Sequence, residues 1–250
     1  INYIFHYMND NKKILIVIPA RYDSSRFPGK PLVPINGIPM IQRTYNQALK
    51  NKYTKDIVIA TDSSRIATYC NNNDMNVVMT SRDCLSGTDR VAEVITIMPQ
   101  FDCYANLQGD EPVINPIYID NCIESFYQNY PKYDVITGYG LLDKEHINLK
   151  EKVKVVFNNN KEAIYFSRSP IPNNAEKYHN HIGLYCFSKD SLSVFQNRNV
   201  GVNELCEKVE MIGMIELDIK VKMIKMEETF TVDIPSDVKK IEEFLNKKTI

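Results

Sequence analysis

Residues Pro19 to Leu32 read PARYDSSRFPGKPL and crowd Arg21, Arg26 and Lys30 around Ser24, Ser25 and Gly29. Forked guanidinium groups, a mobile ammonium and small hydroxyls are the donors a polyphosphate needs. A glycine among them lets backbone approach the ligand closely. The spacing fits neither GxxxxGK[ST] nor GxGxxG, which argues against a P-loop and against a Rossmann dinucleotide site. Taken alone, such a loop could be a basic surface turn. It directly follows the apolar run Ile14–Ile18, however, and in open parallel sheets ligands gather beyond the C-terminal ends of strands. Pro19, Ala20, Arg21, Ser24 and Lys30 are therefore candidates for binding a nucleotide's phosphates.

Two acidic corners complement that loop. YANLQGDEP, residues Tyr104–Pro112, ends an apolar strand in Gly109, Asp110 and Glu111. FTVDIPSDV sets Asp233 just before a helix that opens on Pro235. Carboxylates facing a triphosphate suit magnesium, a hard cation that prefers oxygen ligands and bridges to phosphate. Asp110 could also be part of an ordinary acidic turn, and Asp233 could be a helix cap. The sequence alone does not separate these roles.

The elements that must hold these groups are legible from pattern. Strands at Ile14–Ile18, Asp56–Ala60, Asn76–Met79 and Tyr104–Leu107 alternate with helical spacing over Met40–Lys50, Ser64–Asn72 and Asp89–Met98. This βαβαβαβ order predicts a parallel sheet covered by helices, and Pro116–Tyr130 reads as a further helix. Beyond about residue 131 the rhythm becomes strand-rich, with Tyr133–Tyr139, Val153–Phe157, Ala163–Phe166 and Ile182–Phe187. That pattern predicts either a mixed sheet or a small β-rich lobe against the first half. A helix from Asn203 to about Ile215, a strand near Ile219–Ile224 and a helix from Pro235 to Leu245 follow.

Of 250 residues, 44% are hydrophobic, enough for a substantial core. Thirty basic residues against 31 acidic ones leave a formal net charge of −1, so no global field draws in nucleic acid. The six cysteines form no CxxC pair and read as reduced thiols rather than a zinc site or disulfide framework. No apolar run is long enough to insert in a membrane, and a cytoplasmic location is expected. Residues 1–12 read as an N-terminal extension and 13–250 as one domain.

In order along the chain, IPARYDSSRFPGKPLVPINGIPMIQ, SGTDRVAEV, LQGDEPVI, VKVVFNNNKEAIYFSRSPIP, HIGLYCF and VDIPSDV resemble the 3-deoxy-manno-octulosonate (Kdo) cytidylyltransferase family. The resemblance implies an α/β nucleotide-diphospho-sugar transferase fold, three-layered, with a mixed, mainly parallel sheet and a small β-rich lobe. It implies a homodimer that uses CTP and Mg²⁺ to convert an acidic sugar, Kdo, into CMP-Kdo and pyrophosphate. Residues 131–200 would supply the sugar-binding and dimerising part. Carried over by position, Arg21 and Lys30 handle triphosphate, and Asp110 and Asp233 hold metal; these four are the catalytic candidates. Ser86, Gly87 and Gln108 lie near the nucleotide, and Arg168, His181, Tyr185 and Glu207 near the sugar acid.

Several positions depart from the family pattern. Cys84 stands where a His is common, and Ser81 where an Arg is expected, with Arg82 following. The segment EKVEMIGMIELDIKV carries Glu210 and Gly213 near an expected basic position. Those changes leave open another sugar acid, such as an amino-substituted Kdo or a nonulosonic acid, and also a catalytically weak nucleotide-binding homologue.

Overall fold

The computed structural model describes residues 12–23, 27–227 and 229–248. The expectations for Ser24, Ser25, Arg26 and residues 1–11 lie outside that set.

β1 (Ile14–Ala20) is buried along its whole length. Its alternate residues serve two different cores. Ile14, Ile16 and Ile18 pack with Ile41, Tyr45, Ile119 and Phe126, whereas Leu15 and Val17 pack with Val91, Ile95, Leu192 and Phe195. A strand apolar on both faces is what a sheet sandwiched between helices requires. Each fully buried aliphatic side chain contributes roughly 1.5–3 kcal/mol of transfer free energy.

A short hairpin, β2 (Pro34–Ile35) and β3 (Ile38–Pro39), leads into α1 (Met40–Ala48), β4 (Ile57–Thr61), α2 (Ser64–Asn71) and β5 (Val77–Met79). Next come α3 (Gly87–Ile97), β6 (Cys103–Leu107) and α4 (Pro116–Asn129). The second half runs through β7 (Val135–Leu142), β8 (Lys154–Phe157), β9 (Ala163–Ser167), β10 (Tyr178–Ser188) and α5 (Lys189–Gln196). It closes with α6 (Val202–Glu207), α7 (Glu210–Glu216), β11 (Val221–Lys225) and α8 (Pro235–Lys248).

The main sheet is nine-stranded, with the order β11-β7-β10-β6-β1-β4-β5 and with β8 and β9 branching from β10. β1 pairs in parallel with β4 and β6, and β11 with β7, while β10 runs antiparallel to both β6 and β7. The expected mixed, mainly parallel sheet and its antiparallel appendage are therefore both present. Helices α1, α2 and α4 cover one face and α3, α5 and α7 the other, giving three layers. Among the described residues no helix is long and apolar enough to cross a membrane.

Several boundaries shift by a few residues from the sequence expectation, and three of the shifts have a visible cause. α3 begins at Gly87 rather than Asp89, because the Ser86 hydroxyl caps it by accepting from the Asp89 amide at 3.1 Å. β10 starts at Tyr178, four residues before the expected Ile182, because its first part pairs with β7 as far as Leu142. The helix expected from Asn203 to Ile215 is two helices. Lys208 takes φ 53°, a left-handed conformation that ends α6 before α7 begins.

Candidate active site

Strand ends place the predicted phosphate loop and the acidic turn side by side. Pro19 and Ala20 finish β1, and Arg21 continues from it, half-buried. Beyond β6, Gly109 lies under Pro19 so closely that a Cβ there would sit 2.7 Å from the Pro19 carbonyl oxygen. Only glycine permits that approach. Lys30, in a single turn of 3₁₀ helix, donates to Asp110 Oδ2 at 2.7 Å and to the Val232 carbonyl at 2.8 Å. One ammonium thus joins the opening loop, the acidic turn and the segment that carries Asp233. The Val232 amide returns a bond to the Asp110 carbonyl at 3.1 Å. Val232 itself is buried with Ile35, Met40 and Ile241, so α8 and the hairpin hold this junction from behind.

A second carboxylate, Asp237, joins Asp233 at the start of α8, and both line the cleft. Asp237 accepts the amides of Asp233 and Ile234 at 3.0 and 3.1 Å. Asp233 lines the cleft together with Asp110 and Gln108. Glu111 lies beneath them, 3% exposed, with its carboxyl 2.5 Å from the Thr229 hydroxyl. Burial pushes its pKa up to about 8, outweighing the Thr229 hydrogen bond, and the neighbouring Asp110 and Asp233 add to the rise. Glu111 is therefore largely a neutral acid at pH 7.

Ser86 and Gly87 open α3 against Gln108, whose amide lies 3.1 Å from where a Gly87 Cβ would be. Glu210 holds this turn. One carboxylate oxygen accepts the Gly87 amide at 2.9 Å, and the other accepts the Thr88 amide at 3.2 Å and the Thr88 hydroxyl. In the sequence Glu210 had stood out only as a departure; it is a clamp on the predicted nucleotide turn. Gly213 likewise has a packing reason, since a Cβ there would lie 2.2 Å from Glu204 Oε2. The buried Glu204 pairs with Arg198, which also binds Asp89 at 2.8 Å. Ser81 and Cys84 both turn toward Glu93. Burial, reinforced by Glu93, drives the Cys84 thiol up to about 12, so it is inert at neutral pH.

The opposite wall comes from the β-rich second half. Together the walls enclose a cleft of about 860 Å³ whose lining includes Asp110, Asp233, Arg168, His181 and Tyr185. The His181 Nε2 lies 3.0 Å from the Thr137 hydroxyl, which is itself 3.0 Å from the Leu184 carbonyl. With that hydroxyl donating to the carbonyl, His181 must donate through Nε2, leaving Nδ1 an acceptor. Burial lowers its pKa to about 3, so the ring is neutral at physiological pH. Tyr185 stacks on Phe187 and meets His181 edge-on. Arg168 donates to the carbonyls of Glu207, Lys150 and Lys208 at 2.7, 2.8 and 3.0 Å. Three of its five N–H donors are thereby used and two remain. Glu207 stands behind the wall, accepting from the Ser167 hydroxyl and the Arg168 amide, each at 2.7 Å.

A magnesium ion fits this chemistry at Asp110 and Asp233, because it usually takes one or two protein carboxylates and completes its shell with water and phosphate oxygens. Among the described residues no group of three or more His, Cys, Asp or Glu is arranged to hold a metal unaided.

The cytidylyltransferase family model matches residues 15–249. The chain belongs to the cytidylyltransferase family. It is a nucleotidyltransferase enzyme. It is 40% identical over 238 residues to an 8-amino-3,8-dideoxy-manno-octulosonate cytidylyltransferase of Shewanella frigidimarina, covering 92% of this chain and 97% of that one. A homologue of the same name from Shewanella amazonensis is 38% identical over 237 residues, covering 92% of this chain and 97% of its own. A CMP:2-keto-3-deoxy-manno-octonic acid synthetase solved in complex with CTP superposes with a TM-score of 0.89 at 34% identity, covering 95% of the enzyme and 100% of its own chain.

Proposed function

We propose that the enzyme transfers CMP from CTP to the anomeric hydroxyl of a Kdo-type sugar acid. The observation that carries the reading is the joining of Asp110, Asp233, Gln108, Arg168, His181 and Tyr185 around one cleft. The carboxylates of Asp110 and Asp233 on one wall, with Lys30 bound to Asp110 behind them, suit a metal-bound nucleoside triphosphate. A guanidinium with two remaining donors and a neutral imidazole on the other suit a carboxylate and hydroxyls.

In the proposed reaction the sugar oxygen bonds to the α-phosphorus and gives its proton to solvent as the bond to the α–β bridging oxygen breaks, releasing pyrophosphate. Such a transfer depends on positioning and charge stabilisation, with no protein nucleophile. Lys30 and Arg21 would stabilise phosphate charge, and Gln108 with the Ser86–Gly87 turn would seat the nucleoside. Asp110 and Asp233 would hold Mg²⁺, which when bound neutralises phosphate charge and acidifies the attacking hydroxyl. Lys30 already holds Asp110 in place, so that carboxylate is positioned before substrate arrives.

Kdo and its 8-amino form share the reacting end and differ at the far carbon. The names of the curated relatives favour the 8-amino sugar, and that of the solved synthetase the hydroxylated one. Pyrophosphate release with CTP and Mg²⁺, measured with each sugar in turn, tests the proposal. Sugar-dependent release with the CMP-sugar confirmed by mass is expected; release with neither sugar sinks it. The same proposal includes a cytoplasmic homodimer. Six unpaired cysteines accord with a reducing compartment, and Ile164, Val202 and Leu205 are apolar side chains exposed in the second half. Sedimentation velocity checks the dimer.

A further inference from the structure

We propose that Lys154 is a positioning residue for the sugar-acid wall, fixing its shape without touching substrate. The inference rests on the reading of that wall as the sugar site. Lys154 opens β8, between its cross-strand partners Ser167 on β9 and Asn180 on β10. Its side chain is fully buried, which is unusual for a lysine, and burial together with the nearby Arg168 lowers its pKa.

All three ammonium hydrogens have backbone acceptors. Lys154 Nζ donates to the carbonyls of Leu149 at 3.0 Å, Lys152 at 2.7 Å and Arg168 at 2.5 Å. An ammonium has three donors, so the group is saturated. Its commitment shows in what it leaves aside. Asn180, directly across the strand pair and 6% exposed, has a side-chain oxygen with no hydrogen-bond partner. The ammonium serves the loop instead of this neighbour.

The three carbonyls belong to two segments distant in sequence. Leu149 and Lys152 lie on the loop that enters β8, and Arg168 lies just past the end of β9. Leu149, Lys152 and Arg168 all line the cleft. Arg168 repeats the device from its own side chain, taking the carbonyls of Lys150, Glu207 and Lys208. The two cations together knit the entry loop, the end of β9 and the left-handed corner between α6 and α7 into one surface. Lys154 is the member turned wholly inward, so its influence on the sugar must pass through the backbone it holds.

The test is a split between substrates in Lys154→Met, which keeps the apolar stem and removes the donors. The KM for the sugar acid should rise about tenfold or more, while the KM for CTP stays within about threefold. Trypsin should cut the native protein faster after Lys150 and Lys152 in K154M than in wild type, a readout independent of turnover. If K154M does not fold, Lys154→Gln, which keeps two N–H donors, should show the same split in weaker form. Equal rises in both KM values, or a sugar KM and a tryptic rate both unchanged, overturn the proposal. A wild-type enzyme that turns over neither sugar would sink the proposed function instead, and faster loop cleavage in K154M would still uphold the anchoring.

Discussion

The two walls of the cleft are fastened differently. On the wall built from parallel strand ends, the cation Lys30 meets the Asp110 carboxylate as well as the Val232 carbonyl. On the β-rich wall, Lys154 and Arg168 turn to backbone carbonyls. The contrast follows from what each wall must hold. Parallel strands already fix their own backbone, so the remaining task is to orient charged side chains around a polyanion. Where Lys154 and Arg168 reach, the β-rich wall leaves its strands for the loop entering β8, the chain just past β9 and the corner between α6 and α7. Long cations reaching into it satisfy orphan carbonyls and set the path of the chain. Removing a side chain should therefore impair chemistry on the first wall and shape on the second.

The largest effect is expected at Asp110. Asp110→Asn should lower turnover by about 10³-fold, as loss of a group that stabilises charge in the transition state does. Its melting temperature should stay near that of wild type. Pyrophosphate release and a thermal melt on the same preparation check both halves. A near-native rate would remove Asp110 from the metal and from the chemistry, and with it the contrast between the walls.

Beneath Asp110, Glu111 sharpens the comparison from the side of stability. Its pKa in the fold, about 8, lies above the 4.5 of an ordinary carboxyl. A folded state that holds the proton more tightly is favoured fully below the lower value. That advantage is lost as pH rises toward about 8, with a slope of up to about 1.4 kcal/mol per pH unit. Glu111→Gln mimics the protonated acid and should flatten this decline. Chemical denaturation of both proteins between pH 5 and 8 is the measurement. Parallel curves would show that Glu111 is ionised in the fold.

Gly213 tests the support behind the turn. A methyl group there would collide with the Glu204 carboxylate that Arg198 holds. In an exposed helix Gly→Ala stabilises by up to about 1 kcal/mol. Here Gly213→Ala should destabilise by about 1–3 kcal/mol through overpacking. That corresponds to a fall in melting temperature of roughly 2–4 °C per kcal/mol for a chain of this size. A rise in melting temperature would mean that Glu204 yields freely.

Which of these features could be read in the sequence depends on how local their causes are. β1, the loop after it and the Asp110 turn were legible as neighbours because a buried strand is a continuous apolar run and its polar loop follows at once. Asp233 was legible as a candidate from the apolar alternation before it and the Pro235 helix start after it. The anchors of the β-rich wall were not. Lys154 looks like any strand lysine until carbonyls of Leu149 and Arg168 are brought to it, and a carbonyl carries no residue signature. The break at Lys208 was hidden because the left-handed conformation falls on a lysine rather than the usual glycine. Glu210 and Gly213 stood out as departures, but their partners lie more than a hundred residues away at Gly87 and Thr88, or one helix back at Glu204.

The ambiguity the sequence left at FTVDIPSDV yields the most discriminating prediction. A single aspartate there could have been cap and ligand at once; the structure gives Asp237 the amides of Asp233 and Ile234 and sets both carboxylates on the cleft. Hydrogen bonds from Lys240 and the amides of Asp233 and Ile234 overcome the opposing effect of burial and hold the Asp237 pKa below its usual value. A depressed carboxylate stabilises the fold above its unfolded pKa, near 3.8, and that contribution fades as pH falls through the lower folded value. Asp237→Asn should therefore cost about 1 kcal/mol at pH 7, the usual worth of a cap, and less in strong acid. Asp233→Asn should abolish most turnover and lower the melt less than Asp237→Asn does. If instead D237N stops the reaction and D233N lowers the melt more, the two carboxylates have exchanged roles. The metal pair would then have to be redrawn around Asp110 and Asp237.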